Sequence, residues 1–397
     1  FEEKIAYFEK VLAKEPIERE DFRFDGLGKE SPNVLIEQGK RGGPILSLLR
    51  LLQGQTKCLH ILLLVGDDDT PERLYHFDMV GACPYTDYSI GKEAFYEDIV
   101  LRMATYESTW EITNHELVGD PISREEWQAV STVEDMRQAA IDFDAHNFFT
   151  QMLVVTDLVP VPAINEAVAS QYSEGCFTTW DPDLNALIAT ITGSARPVDK
   201  GNITENDLAV IVGVRPDREG AQVRHVEGKD NVSPSSEAVE MMDMDFALPY
   251  ISLDGSWNIT SQVPVIRSKL HGHRGVHTYN PELVEYVSLD EPFYHYLVSC
   301  ATEAQARAIK SAFARSQSLL NPTDPRQIAF TVLPGHGIVM TEKWVPEKKP
   351  FEIMLDYMDA GHIKIDSLVP QGPMDYHLGD DGRMHINDEN YPNWRLR

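Results

Sequence analysis

Residues 174–203 read EGCFTTWDPDLNALIATITGSARPVDKGNI, and how they fold decides how the rest of the chain is arranged. Asp181 has the character of a helix N-cap, Pro182 would take the favoured first helical position, and Asp183 places a negative charge in the first turn. Leu184, Leu187, Ile188 and Ile191 recur at helical spacing, which predicts an apolar helix face. Gly193 is the stop, with Pro197 shortly after. The expectation is an acidic, aromatic-tipped turn, a short helix, and then a new strand.

On the N-terminal side, residues 1–22 carry Ile5, Phe8, Val11 and Leu12 at helical period, an amphipathic helix. Lys57–Val65 is a near-continuous apolar run, the pattern of a strand buried on both faces of a parallel sheet. It closes on Gly66-Asp67-Asp68-Asp69, and Thr70-Pro71-Glu72 is expected to open a helix. Helical patterns at 93–105 and 133–140 and a strand pattern at 151–161 continue the alternation of an α/β region. On the C-terminal side strands dominate, at 208–214, 221–227, 246–253, 262–270, 283–288, 327–333 and 337–341. One helix, 302–318, interrupts them. The expected fold class is α/β, with a parallel-sheet N-terminal region followed by a strand-rich C-terminal domain. The division falls at residues 1–170 and 171–397, with a surface-wrapping tail from about 346.

A chain of 397 residues carries a net charge of -28, which repels nucleic acid and anionic membranes as main partners. Cys58, Cys83, Cys176 and Cys300 form no CxxC pair, so neither a zinc knuckle nor a disulfide framework is indicated and a cytoplasmic location is expected. No GxGxxG follows a strand, and neither a P-loop nor a GxSxG elbow is present.

The densest imidazole group is His271-Gly-His273-Arg-Gly-Val-His277. His271 and His273, two apart in a strand, point the same way and suit a metal ion, with Arg274 available for substrate oxygens. His336 sits between two glycines at a strand junction, where the permissive backbone suits a side chain that projects into a cleft. His377, Asp380, Asp381 and His385 form another group whose Asp-Asp-Gly reads first as a turn. Among acids, Glu174, Asp181, Asp183 and Asp199 flank the expected helix. Glu237, Glu240, Asp243 and Asp245 form a second run with the commoner meaning of a solvated face. Carboxylates and imidazoles around a cation suit carbohydrate chemistry, where the ion binds a carbonyl and its neighbouring hydroxyl.

The run Asp183-Leu-Asn-Ala-Leu187, then Ile191-Thr-Gly193, Pro197 and Gly201-Asn202-Ile203, resembles the L-fucose and L-arabinose isomerase superfamily. That resemblance implies aldose–ketose isomerisation of a small sugar or polyol, a divalent ion (usually manganese), and a homo-oligomer, trimeric or hexameric. It also implies a ligand set. Glu174 and Asp181 are the acids nearest the place of the first metal glutamate, at Thr179–Trp180; Asp199 precedes the place of the second, and His336 matches the late histidine. Glu174, Asp181 and Arg274 would then serve catalysis, and Glu174, Asp181, Asp199 and His336 the metal. Two alternatives stand beside it. One is a binding or assembly homologue without the metal. The other is a metal-dependent hydrolase or lyase with His271, His273 and His277 as ligands.

Overall fold

The computed structural model describes residues 114–149, 175–191, 197–229, 233–254, 262–272, 275–278, 282–289, 302–321, 323–333 and 337–367. It also describes Gly91 and the strand segments 34–39, 60–66, 71–77, 85–87, 376–378 and 384–386. The expected helices at 1–22 and 93–105 and the expected strand at 151–161 lie outside the described residues.

The strands, in chain order, begin with β1 (Val34–Gly39), β2 (His60–Gly66), β3 (Pro71–Phe77), β4 (Tyr85–Asp87) and β5 (Glu116–Leu117). They continue with β6 (Cys176–Asp181), β7 (Ala186–Thr190), β8 (Leu208–Val214), β9 (Ala221–Arg224), β10 (Tyr250–Ser252) and β11 (Gln262–Pro264). Next come β12 (Ile266–Gly272), β13 (Gly275–Thr278), β14 (Val284–Tyr286), β15 (Ile328–Leu333) and β16 (Gly337–Lys343). The last are β17 (Ile363–Ser367), β18 (Tyr376–Leu378) and β19 (Met384–Ile386). The main helices are α1 (Arg124–Ala129), α2 (Ser131–Ala145), α3 (Ser236–Asp245), α4 (Glu303–Phe313), α5 (Gln317–Leu320) and α6 (Glu352–Asp359).

A nine-stranded sheet of order β14-β15-β16-β12-β6-β7-β8-β9-β5 organises the described residues. Its pairs are antiparallel except at the two edges, β14 with β15 and β5 with β9. The architecture is therefore mixed α/β. Side chains of a strand alternate between faces, and both faces here are buried. Phe177, Ile188, Val210, Leu270, Phe330 and Met340 pack into one core with residues of α1, α2 and α6. Trp180, Leu187, Ile211, Ile266, Ala329 and Val339 pack into the other with α3, α4 and α5. Helices before residue 170 and strands after residue 175 share the first core, so no break in packing accompanies the 170/171 division.

The central stretch is a correction. Residues 176–190 form the β6–β7 hairpin, with Thr179 opposite Ile188 and Asp181 opposite Ala186, not a helix. The signals taken for a helix start are also those of a turn: Asp at the first position and Pro at the second favour a type I turn. Asp181 Oδ1 accepts the Leu184 N–H at 2.7 Å, and Asn185 takes the left-handed conformation (φ 48°) that lets β7 start. The apolar positions Leu187 and Ile188 lie on opposite faces of a sheet buried on both sides, so spacing carried no helical information. Where a new strand was expected after the Gly193 and Pro197 stop, 3-10 turns occupy 197–202 and 205–207, and extended structure resumes at Leu208.

Two further expectations fall in the same way. The aspartates after Gly66 lead into the antiparallel strand β3 rather than a helix, and the N-terminal sheet is parallel only at β1–β2. Residues 346–363, within the stretch expected to wrap the surface, alternate exposed positions such as Glu347, Lys349 and Asp356 with buried ones. Phe351, Ile353 and Met354 are buried, and the Phe351 ring meets Phe143 and Phe177, each at 5.7 Å between centroids. The matching expectations were those with a clear period or a capping residue, among them the helix at 133–140 and the one capped by Thr302.

Candidate functional site

One end of the nine-stranded sheet collects the chemistry. The antiparallel ladders bring together the start of β6, the ends of β7 and β12, and the start of β16. His271 pairs with Cys176, and Gly272 with Ile338. Ser235 N–H donates to Thr190 O at 2.9 Å, and Ile191 bridges Pro234, which fixes the N-terminus of α3 at this same end. Lys200, 2% exposed, donates from Nζ to Gly175 O at 2.6 Å.

Strand alternation then sorts the side chains. Leu270 and Phe177 enter the first core, so His271, Cys176 and Lys269 turn towards α3. His271 is buried, with Nδ1 2.8 Å from Ile338 O. The helix lies along the strand, with Glu237 and Glu240 near Cys176 and Asp245 against Lys269. Glu237, Glu240, Asp243 and Asp245 are all at least nine-tenths buried, so the run expected to form a solvated face is a correction. The interleaved Ala238, Val239, Met241 and Met242 were the available signal: a decapeptide with so many apolar positions has no wide polar face to offer water.

Burying four carboxyls requires compensation. Asp245 pairs with Lys269 at 2.7 Å, both fully buried. Burial nonetheless lifts Asp245 to about 6, against the downward pull of Lys269, and lowers Lys269. Asp243 takes Arg218 at 2.5 Å and Lys310 at 3.2 Å. Glu237 accepts a hydrogen bond from the Ser235 hydroxyl at 2.5 Å. Glu240 differs, because among the described residues neither of its oxygens meets a donor. Burial first, then the charges of Glu237 and Asp243, push its carboxyl well above the usual range. Burial and Glu237 likewise push the Cys176 thiol well up, which leaves it a neutral thiol rather than a thiolate.

The expected site residues divide by place. Asp181 lies at the far end of β6 from Cys176 and its partner His271. Five steps of a strand separate the two ends by about 17 Å. Asp181 closes the hairpin and cannot share an ion with His271. Glu174, His273, Arg274 and His336 lie outside the described residues, and of Asp199 only the backbone, in the 3-10 turn, is described. Four of these join the chain at the end just described: Glu174 precedes Gly175, Asp199 precedes Lys200, His273 follows Gly272, and His336 precedes Gly337. His277 is in β13, its backbone paired with Lys364, and its side chain is not described. His377 and His385 are paired in register between β18 and β19, and Asp380 and Asp381 lie outside the described residues. Among the described residues, no group of three or more His, Cys, Asp or Glu side chains is arranged to hold a metal ion. No helix among them is long and apolar enough to cross a membrane.

No family model matches the chain, and no curated protein matches it. Among solved structures, it is similar to L-fuculose 1-phosphate aldolase at a TM-score of 0.30 and 15% identity, over 57% of this chain and 82% of that one. A score that low does not place the chain in that fold. The resemblance to the L-fucose and L-arabinose isomerases is overturned. The residues that carried it, Asp183–Leu187, form a turn and the start of β7 instead of the required helix, and Ile191 makes only a bridge to Pro234.

Proposed function

We propose that this chain is a metal-dependent lyase acting on a small hydroxy-carbonyl compound, with His271, His273 and His336 as the ligand set and Glu237 as the proton-transfer group. The observation that carries the reading is the juxtaposition at one sheet end of His271, the residues flanking His273 and His336, and the buried acids of α3. One peptide separates His273 from Gly272 and His336 from Gly337, a reach of about 3.8 Å between Cα atoms. Gly272 and Ile338 are paired neighbours, so two strand ends that touch lead directly into the two histidines. An imidazole set suits zinc, iron or cobalt better than manganese, which prefers oxygen ligands. A bound divalent ion would polarise a carbonyl and an adjacent hydroxyl.

The chain's own residues do the rest. With Nδ1 of His271 held 2.8 Å from Ile338 O, Nε2 would be its ligating nitrogen. In the cleavage direction Glu237 takes the proton of the β-hydroxyl; that O–H pair becomes the new carbonyl bond, the Cα–Cβ bond breaks with its pair left on the remaining carbonyl fragment as an enolate, and Glu237 returns the proton to that carbon. Ser235 holds Glu237 for this task. Burial of the surrounding groups excludes water.

The test is proton exchange. Dihydroxyacetone, as a minimal probe, is incubated in deuterated water with the zinc-loaded protein, and deuterium at carbon is followed by NMR. The expected result is enzyme-dependent incorporation, abolished by Glu237→Gln and by His336→Ala. Incorporation that survives both variants would remove the assignment.

A further inference from the structure

A polar row crosses one face of the nine-stranded sheet. Thr179 of β6, Ser268 of β12 and Glu342 of β16 stand opposite one another in register, with Ile188 of β7 and Ile328 of β15 at the two ends of the row. All three polar side chains are fully buried, on the face that Phe177, Leu270 and Met340 give to the first core. The hydroxyls of Thr179 and Ser268 are 3.1 Å apart, and Thr179 also donates to Arg267 O at 3.2 Å. At the other end the Glu342 oxygens accept the N–H groups of Phe351 and Met354, the latter at 3.4 Å, and Phe351 N–H also reaches Ser268 Oγ at 3.2 Å. The row thus seats the first turn of α6. That helix starts at Phe351 with φ 66°, a costly conformation for a bulky residue, and Gly361 at φ 72° follows its last turn. The contacts of this segment with α2, Lys349 with Asp135 and His146 with Asp359, face solvent and contribute little.

We propose that the first turn of α6 is a pH-gated flap, closed while the Glu342–Ser268–Thr179 row holds an extra proton and released when that proton goes to water. The row accommodates both states because a hydroxyl can turn to donate either way. With Glu342 neutral, its O–H donates to Ser268, Ser268 to Thr179, and Thr179 to Arg267 O, so every proton has an acceptor. With Glu342 ionised, Ser268 turns to donate to the carboxylate, and a charge is left in the core. The groups around it set the cost. β12 brings Arg267, which stacks on Trp344 at 4.6 Å, donates to Lys348 O, and also faces Asp135 of α2, Glu352 of α6 and Asp181 of β6. Lys348 is held by Glu352 at 2.8 Å and Asp356 at 2.6 Å, and β15 brings the apolar Ile328. Burial outweighs the hydrogen bonds and Arg267, and raises the carboxyl to about 7. Opening the turn returns Glu342 to water and its ordinary value. The closed form is therefore favoured in full below about 4.5 and loses ground until pH passes about 7. Release bares the Phe143 and Phe177 rings that Phe351 covers.

Amide hydrogen exchange of the whole protein, read by NMR and corrected for the intrinsic rate at each pH, tests the flap. The opening constant reported by Phe351 and Met354 should rise roughly 70-fold between pH 5 and pH 8, the factor that carboxyl values of about 4.5 open and about 7 closed require. It should respond weakly to low urea, as a local opening does, whereas the amides of the buried strands β7 and β8 should show the full urea dependence of unfolding. An opening constant that is flat over this pH range, or one with the urea dependence of β7, would overturn the flap. Glu342→Gln should flatten the rise, and a rise that persists there would overturn the assignment to Glu342. Thr179→Val keeps the donors to the carboxylate but removes the acceptor that the neutral order needs. The rise should shrink in that variant, and a full rise would overturn the row as the device. If Glu342→Gln does not fold, the wild-type pH and urea dependences together with Thr179→Val still decide.

Discussion

At the scale of single residues, identity was legible and context was not. Asp181 and Asn185 show why. An Asp-Pro pair before apolar residues opens either a helix or a tight turn, and only the opposite strand decides. Asp181 was read from the sequence as a metal ligand; the structure makes it the buried acceptor that closes an exposed turn. Asp181→Ala is therefore expected to cost about 1 kcal/mol in urea unfolding, the net worth of one ordinary intramolecular hydrogen bond. It should leave metal affinity unchanged, and a loss of affinity with no loss of stability would reverse the assignment. The sequence draws attention to His271 and His273 by their spacing, and the structure describes only His271, buried at the end of β12. The buried acids of α3 were not legible, since charge alone reads as solvent exposure until a helix is seen pressed between a sheet and α4.

Elements were most legible where caps or strong periods marked them, and least where both faces are buried. β7 has no polar face, so alternation cannot show, and helix and strand patterns become indistinguishable over so few residues. Helix α6 was missed for a different reason: it begins without a capping side chain of its own. Phe351 stands at its N-cap in the left-handed conformation (φ 66°), and Glu342 from β16 supplies the acceptors. The Glu342 carboxyl takes the N–H groups of Phe351 and Met354, and Ser268 lies beside it. Burial pushes Glu342 from 4.5 to about 7, against the hydrogen bonds that favour its charge. A pKa raised on folding stabilises below the unfolded value, and that stabilisation is lost as pH rises through the folded value. The contribution of Glu342 is thus present in full below about 4.5 and lost on passing about 7. Glu342→Gln keeps an acceptor without the charge, so chemical denaturation between pH 5 and pH 8 should fall less steeply than in wild type, by on the order of 3 kcal/mol. Equal slopes would show that Glu342 does not titrate there. The α3–β12 contact makes a second prediction: Lys269→Met strands Asp245 and should destabilise by about 3–5 kcal/mol, whereas Lys269→Met with Asp245→Leu should recover most of it. A double variant as unstable as the single one would count against the pair as the cause.

Across the whole molecule, the broad α/β class was readable from the sequence, and the sheet order was not. Strand order depends on which antiparallel neighbours meet, and β12 joins β6 and β16 from sequence positions some ninety and seventy residues away. That long-range order is what gives scattered residues a common address. It sends Asp181 to one end of β6 and gathers Cys176, His271, Glu237, Glu240 and the connections to His273 and His336 at the other. The central claim is that this second end holds a divalent ion. The measurement is a cobalt(II) titration of metal-stripped protein followed by visible absorption, on wild type and on the His273→Ala/His336→Ala double variant. One ion per chain with the absorption of a low-coordinate imidazole site, weakened by more than about a hundredfold in the double variant, is expected. Unchanged binding in that variant, or binding lost instead on Asp181→Ala, would contradict it.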